Sequence, residues 1–204
     1  MQLQEALRLI QTFWQEPTWP FRPAPTAAAE LARLQREFPA PLPPALEEYL
    51  TQAAPATAFS LATVGNPCDV YSLAQMGRFQ DGYTFNSVAQ QPLTDWPAHW
   101  FMLANEGGNP VIVDLLAADG AVIQLAPGAG SWECRTEMAG SIGQFLLCAA
   151  ALQHALHHLG GDDPIIDDEN GFQLAPAAAA WLFPRIREWA GPYYKAWCAV
   201  FDNG

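Results

Sequence analysis

The chain has 204 residues, with nine Lys or Arg against twenty-one Asp or Glu and a formal net charge of −12. A chain so poor in cations argues against nucleic-acid binding, which neutralises phosphates with Lys and Arg, and against docking on an anionic membrane. Half of the residues are hydrophobic, enough for a sizeable core, and the length fits one domain with extensions or one domain plus a small second one. Eight Trp and eleven Phe are many for this length, so some are expected in an interface or a groove. The acidic balance serves solubility alone or suits a basic protein partner, because opposite fields steer encounter. Cys68, Cys134, Cys148 and Cys198 are widely spaced without a CxxC, which predicts reduced thiols. The N-terminal residues lack a basic region followed by an apolar run, and no run approaches the length of a membrane span, so a cytoplasmic protein is expected.

In chain order, Leu3, Leu7, Ile10 and Phe13/Trp14 recur at helical spacing and predict an amphipathic first helix. The Pro-rich stretch 16–25 ends it. Thr26 is placed to cap a second helix with Leu31, Leu34 and Phe38 on its apolar face. After a second Pro-rich break at 39–44, a third helix covers 45–50. Strand-like runs follow at 59–64 and 70–76. The segment 77–97 reads as a loop, with a short irregular strand at 82–86. Residues 96–125 then hold two β-rich runs around Asn105-Glu106-Gly107-Gly108-Asn109-Pro110 and a third run at 121–125 after Asp119-Gly120. Gly107 and Gly108 permit positive φ, Pro110 fixes the exit, and Asp-Gly between apolar runs signals a hairpin, so this part predicts an antiparallel meander. Alternation puts Val111 and Val113 on one face, Ile112 and Asp114 on the other. Ser141 with Gln144 forms a capping-box pattern opening a long helix that Gly160-Gly161 ends. The segment 162–171 carries five acids and reads as a loop. Pro176 opens a last, aromatic-rich helical region over 177–200, interrupted at Pro184 and at Gly191-Pro192.

Several groups of residues are candidates for chemistry. His154, His157 and His158 lie near one helix face, but Ala155 stands where a metalloprotease HExxH helix needs Glu. A solvated last helical turn explains them without a metal. Asp162, Asp163, Asp167, Asp168 and Glu169 cannot form an EF-hand: with Gly171 at the sixth loop position, Ile166 and Ala177 fall where oxygen ligands are required. They read either as a solvated acidic loop or as a patch that steers a basic partner. No GxSxG occurs, and Gly128-Ala129-Gly130-Ser131 lacks both the third Gly of a dinucleotide loop and the Lys of a P-loop, so it reads as a turn. Glu106, Asn109 and Asp114 surround the meander turn, where local backbone chemistry explains them. No metal, cofactor or catalytic set is expected.

The Pro-initiated helix at 42–50, the segment Phe101–Leu115 with its Gly-Gly-Asn turn, the Gly-Ala-Val strand at 120–122 and the Ser141–Leu146 helix start together resemble the SUKH superfamily of Smi/Knr-type immunity proteins. The resemblance covers roughly 27–155. It departs from the usual pattern at Gln52-Ala53-Ala54-Pro55 and at Glu106-Gly107-Gly108-Asn109. It implies an α+β fold with a central, mostly antiparallel sheet flanked by helices, here with an added C-terminal helical region. The expected organisation is an N-terminal helix and Pro-rich connection (1–25), the SUKH-like domain (26–160), and an acidic loop with an aromatic helical extension (161–204). The resemblance further implies a non-enzymatic immunity protein that binds a cognate toxin and occludes its active site, with a basic nuclease as one fitting class. An intracellular scaffold or regulatory module is the second function class. On the immunity reading, Asp162, Asp163, Asp167, Asp168, Glu169, Glu106 and Asn109 are the expected contact residues.

Overall fold

Apolar residues at helical spacing close the N-terminal third in a computed structural model, which describes residues 1–77, 83–93, 96–117, 120–126, 132, 134–169 and 171–204. Helix α1, Leu3–Gln11, buries Leu3, Ala6, Leu7 and Ile10. Helix α2, Ala27–Glu37, buries Leu34, and the Arg33 beside it is held by Glu30 and donates to the Met76 carbonyl at 2.8 Å. Thr26 occupies the N-cap position of α2, but its side chain makes no cap hydrogen bond. Helix α3, Pro44–Gln52, starts on a proline, where the missing N–H costs nothing.

The β region supplies β1 (Phe59–Leu61), β2 (Cys68–Val70), β3 (Phe85–Asn86), β4 (Gln91–Pro92), β5 (Trp100–Glu106), β6 (Asn109–Asp114), β7 (Val122–Leu125) and β8 (Arg135–Ala139). Six of them form an antiparallel sheet in the order β1-β2-β5-β6-β7-β8; β3 and β4 make a separate small hairpin. The expected meander is present. Glu106 and Asn109 close the β5–β6 hairpin, and Gly107 and Gly108 fill its two-residue turn at φ 57° and 96°, as a right-twisted hairpin requires. The expected strand at 70–76 is corrected to β2. Beyond Val70 the chain turns, because Gln75 Oε1 accepts from both the amide and the hydroxyl of Ser72, while the Ser72 carbonyl accepts from the Gln75 and Met76 amides. Local side-chain bonding thus outcompetes the ladder. In the segment expected as loop plus strand, β3 covers only Phe85–Asn86; Gly82 lies outside the described residues, as do Asp119 and the expected turn at 128–131.

Alternation divides the sheet into two apolar faces. Val111 and Val113 face the helices together with Phe101, Leu103 and Ala104. Ile112 joins Trp96, Trp100, Met102, Ile123 and Leu125 on the opposite face, against Tyr71, Tyr83 and Trp132. Two bulges modify the pattern. Met102 pairs with Ile112 and Ala104 with Val111, leaving Leu103 as the extra residue on β5. Val122 pairs with Ala139 and Ile123 with Glu137, leaving Met138 extra on β8.

Helix α4, Ile142–His154, crosses the first face and is buried along nearly all its length. The Ser141 hydroxyl accepts from the Gln144 amide, as the capping pattern predicts. A π turn, Ala155–Leu159, continues the helix, and Gly161 beyond it is left-handed at φ 69°. The acidic segment expected as a loop is instead a hairpin of β9 (Ile165–Asp168) and β10 (Gly171–Leu174). Its apolar Ile165, Ile166, Phe172 and Leu174 are half-buried or buried, and the C-terminal tail clasps it: the Phe172 carbonyl accepts from the Asp202 amide, while the Asp202 carboxylate accepts from the Phe172 amide. Helix α5, Pro176–Ala190, passes through Pro184 without a break. Burial of Ala178, Leu182 and Ile186 on one side of α5 overrides the local penalty of the proline. The interruption occurs at Gly191, φ 55°, followed by a 3-10 turn and helix α6, Tyr194–Cys198. One continuous core takes residues from α1 to Phe201. On β8, the Met138 carbonyl accepts from the Trp197 indole at 2.8 Å.

Candidate functional site

The β5 bulge decides where Glu106 points. Strict alternation from Phe101 and Leu103 would turn Asn105 toward the helices and Glu106 away. With Leu103 as the extra residue, Leu103 and Ala104 both face the helices, and the next side chain on that face is Glu106. Asn105 falls on the opposite face, where its amide donates to the Tyr83 hydroxyl at 3.1 Å. Tyr83 in turn donates to the Gly108 carbonyl, tying the aromatic cluster of that face to the hairpin turn.

Glu106 stands at the floor of a groove of about 330 Å³ between the end of the sheet and helices α4 and α6, walled by Thr63, Gln124, Leu152, Trp197 and Val200. Its Oε2 accepts from Gln124 Nε2 at 2.6 Å and its Oε1 from Thr63 Oγ1 at 2.9 Å. Thr63 Oγ1 also stands 2.6 Å from the Asn66 carbonyl. A hydroxyl has one proton, so these two acceptors compete for it. Cys68 pairs with Glu106 across β2 and β5; burial first, then the negative charges of Glu106 and Asp69, push its thiol up to about 12. Val200 is an exposed apolar residue on the groove rim, 50% accessible.

The expected contact residues fall on two separate elements. Asp162, Asp163, Asp167, Asp168 and Glu169 are all exposed, on and just before the β9–β10 hairpin. Glu106 and Asn109 face each other across the β5–β6 turn and are half-buried. Asp114 lies at the far end of β6, 3.9 Å from His99, so the turn does not gather a carboxylate pair. Thr63, Gln124, Trp197 and Val200 were not anticipated as site residues. They come from a turn, a strand and a helix far apart in the chain, and no local pattern marks them.

His157 and His158 are exposed, as a solvated last turn requires, but His154 departs from that expectation. His154 is buried, with its ring 4.7 Å from Trp181 and 5.5 Å from Phe13. Burial, then the charges of His158 and Arg185, lower its pKa. His157 and His158 turn toward Glu16 at 3.6 and 3.1 Å. Burial works to raise the Glu16 pKa, but hydrogen bonds from His158, Gln153 and His157 outweigh it and hold the carboxyl below its usual range. Among the described residues no three His, Cys, Asp or Glu converge to hold a metal ion. None of the four cysteines is in a disulfide. No helix among the described residues is long and apolar enough to cross a membrane.

A Pro-initiated helix, an antiparallel sheet with a Gly-Gly hairpin, and a Ser-capped helix laid across one sheet face define the SUKH type of α+β domain. The profile of the SMI1 / KNR4 family (SUKH-1) matches residues 25–148, more than half of the chain, and the chain belongs to that family. No curated protein matches the chain in sequence. The C-terminal region after the matched residues adds Trp197, on α6, and Val200, in the turn just beyond it, to the groove wall. Family membership is consistent with an immunity-type role and with a protein as the partner.

Proposed function

We propose that this protein is an immunity protein that binds a cognate toxin domain and occludes its active site, with no chemistry of its own. Family membership over residues 25–148 carries this reading. The net charge of −12 supports a basic partner, such as a nuclease domain. Five acids on and just before the β9–β10 hairpin add a local field, and the hairpin is clasped by the C-terminal tail. Asp162, Asp163, Asp167, Asp168 and Glu169 steer the encounter, while Glu106 and Asn109 at the sheet hairpin contribute to the docked surface. A cytoplasmic location is part of this proposal, where the protein would meet a toxin that acts inside the cell.

The test is binding of the protein to the effector domain encoded beside its gene, with growth protection in co-expression. A variant with Asp162, Asp163, Asp167 and Asp168 all changed to Asn should associate about tenfold more slowly at low salt, with a flatter salt dependence. Its unfolding free energy should stay within about ±0.5 kcal/mol of the parent, as for other surface changes. An unchanged on-rate and salt slope would remove the hairpin from the interface. Failure of the unaltered protein to bind or protect against that effector would remove the immunity reading.

A further inference from the structure

We propose that the groove floored by Glu106 is a receptor for one arginine side chain projected by the protein partner; this rests on the protein-binding reading above and names the chemistry of its central contact. Among the described residues no cation compensates the charge of the groove. The ion pairs among the described residues join Arg33 to Glu30 and Glu37, His99 to Asp114, and His157 and His158 to Glu16; none reaches Glu106. Its neighbours are the neutral Gln124 amide and a Thr63 hydroxyl whose single proton has a second acceptor in the Asn66 carbonyl. Each carboxylate oxygen keeps a free lone pair, so a two-pronged donor entering along the groove finds both.

The walls select the shape of that donor. Leu152, Trp197 and the exposed Val200 offer apolar surface for an aliphatic stem. The groove volume of about 330 Å³ is at the small end of the roughly 300–1,000 Å³ range of ligand pockets, enough for one long side chain. Guanidinium is more weakly hydrated than ammonium, and its planar fork matches a carboxylate, so arginine suits a half-buried site better than lysine. The net charge of −12 supplies the long-range attraction for such a group.

The test uses the full chain and N-acetyl-arginine amide as the probe, read from the Trp197 indole and Gln124 side-chain amide signals in nitrogen–proton correlation spectra. Saturable shifts of both signals are expected, with a Kd on the order of 1 mM, the scale of a single-residue fragment. Glu106→Gln should weaken that binding at least about tenfold, the effect expected when one charged partner of a hydrogen-bonded pair is neutralised. Val200→Glu, on the exposed rim where folding is not at stake, should tighten it several-fold. Shifts that grow linearly without saturating, or equal affinity in Glu106→Gln, would overturn the proposal, as would no response to Val200→Glu. Equal binding of N-acetyl-lysine amide would overturn the choice of arginine. The fragment titration needs no effector, so its failure is distinct from a failure of the effector to bind.

Discussion

The side-chain amide of Gln144 lies 2.7 Å from the carbonyl oxygen of Trp189, across 45 positions of sequence. Its Oε1 accepts from the Gly140 amide at 2.8 Å. One side chain therefore serves the entry to α4 and the end of α5, and locks the C-terminal region onto the family domain. Gln144→Ala strands the Gly140 amide and the Trp189 carbonyl in a half-buried setting. The expected cost is about 1–3 kcal/mol, the penalty of leaving such groups unpaired. Denaturant unfolding should show a lower midpoint with an unchanged slope. An unchanged midpoint would show that water replaces the amide at no cost.

Acid should destabilise the protein from just below neutrality. Burial holds the native pKa of His154 below its ordinary value of 6.5, so the unfolded chain binds its proton more readily than the folded one. The stability that His154 contributes is fully present above about pH 6.5, its ordinary value. That stability is lost as pH falls from there through the native pKa. Glu16 acts in the same direction at lower pH: its pKa is held below 4.5, so its contribution is present above that value and lost as pH falls through the native one. Unfolding free energy measured from pH 7.5 to 5 should decline, and His154→Leu should make the decline shallower. A parallel decline in that variant would assign the effect to other groups.

Thiol reactivity should divide one from three. Cys134 is exposed, whereas Cys68, Cys148 and Cys198 are buried. Burial raises all three buried thiols, Cys68 to about 12 and Cys198 to about 11, with Cys148 raised further. A thiolate is the reacting form, so these should be slow. An aromatic disulfide reagent should label one cysteine rapidly in the folded protein and four after denaturation. Two rapid thiols would reveal local opening around one of the buried positions.

Much of the fold could be read from the chain because the informative signals are local. Gly107-Gly108 specifies a hairpin by its φ values, Ser141 with Gln144 specifies a helix start, and the Val111/Ile112/Val113 alternation specifies two sheet faces. The readings that needed correction depended on context. Pro184 lies inside α5 because burial of its neighbours outweighs propensity, and the acidic segment forms a hairpin because the tail at Asp202 and Asn203 supplies its missing partners. The last helical turn alone predicts a solvated His154, whereas α5, distant in sequence, packs Trp181 against it. Of the groove, Glu106 was legible as a residue beside a turn. Its direction was not, since residues 100–104 are uniformly apolar and conceal the break in alternation. Trp197, Gln124 and Thr63 reach it only through tertiary folding.

That break lets the strand carry one residue more than its ladder needs. Without Leu103, Met102 and Ala104 would be consecutive partners of Ile112 and Val111, plain alternation would return, and Glu106 would still face the groove with Asn105 on the aromatic face. Such a chain would lose a core leucine and keep its groove. A single codon deletion at this bulge therefore changes core volume and not what the groove accepts. Among proteins of this type, one-residue length changes here are expected to track core packing rather than partner.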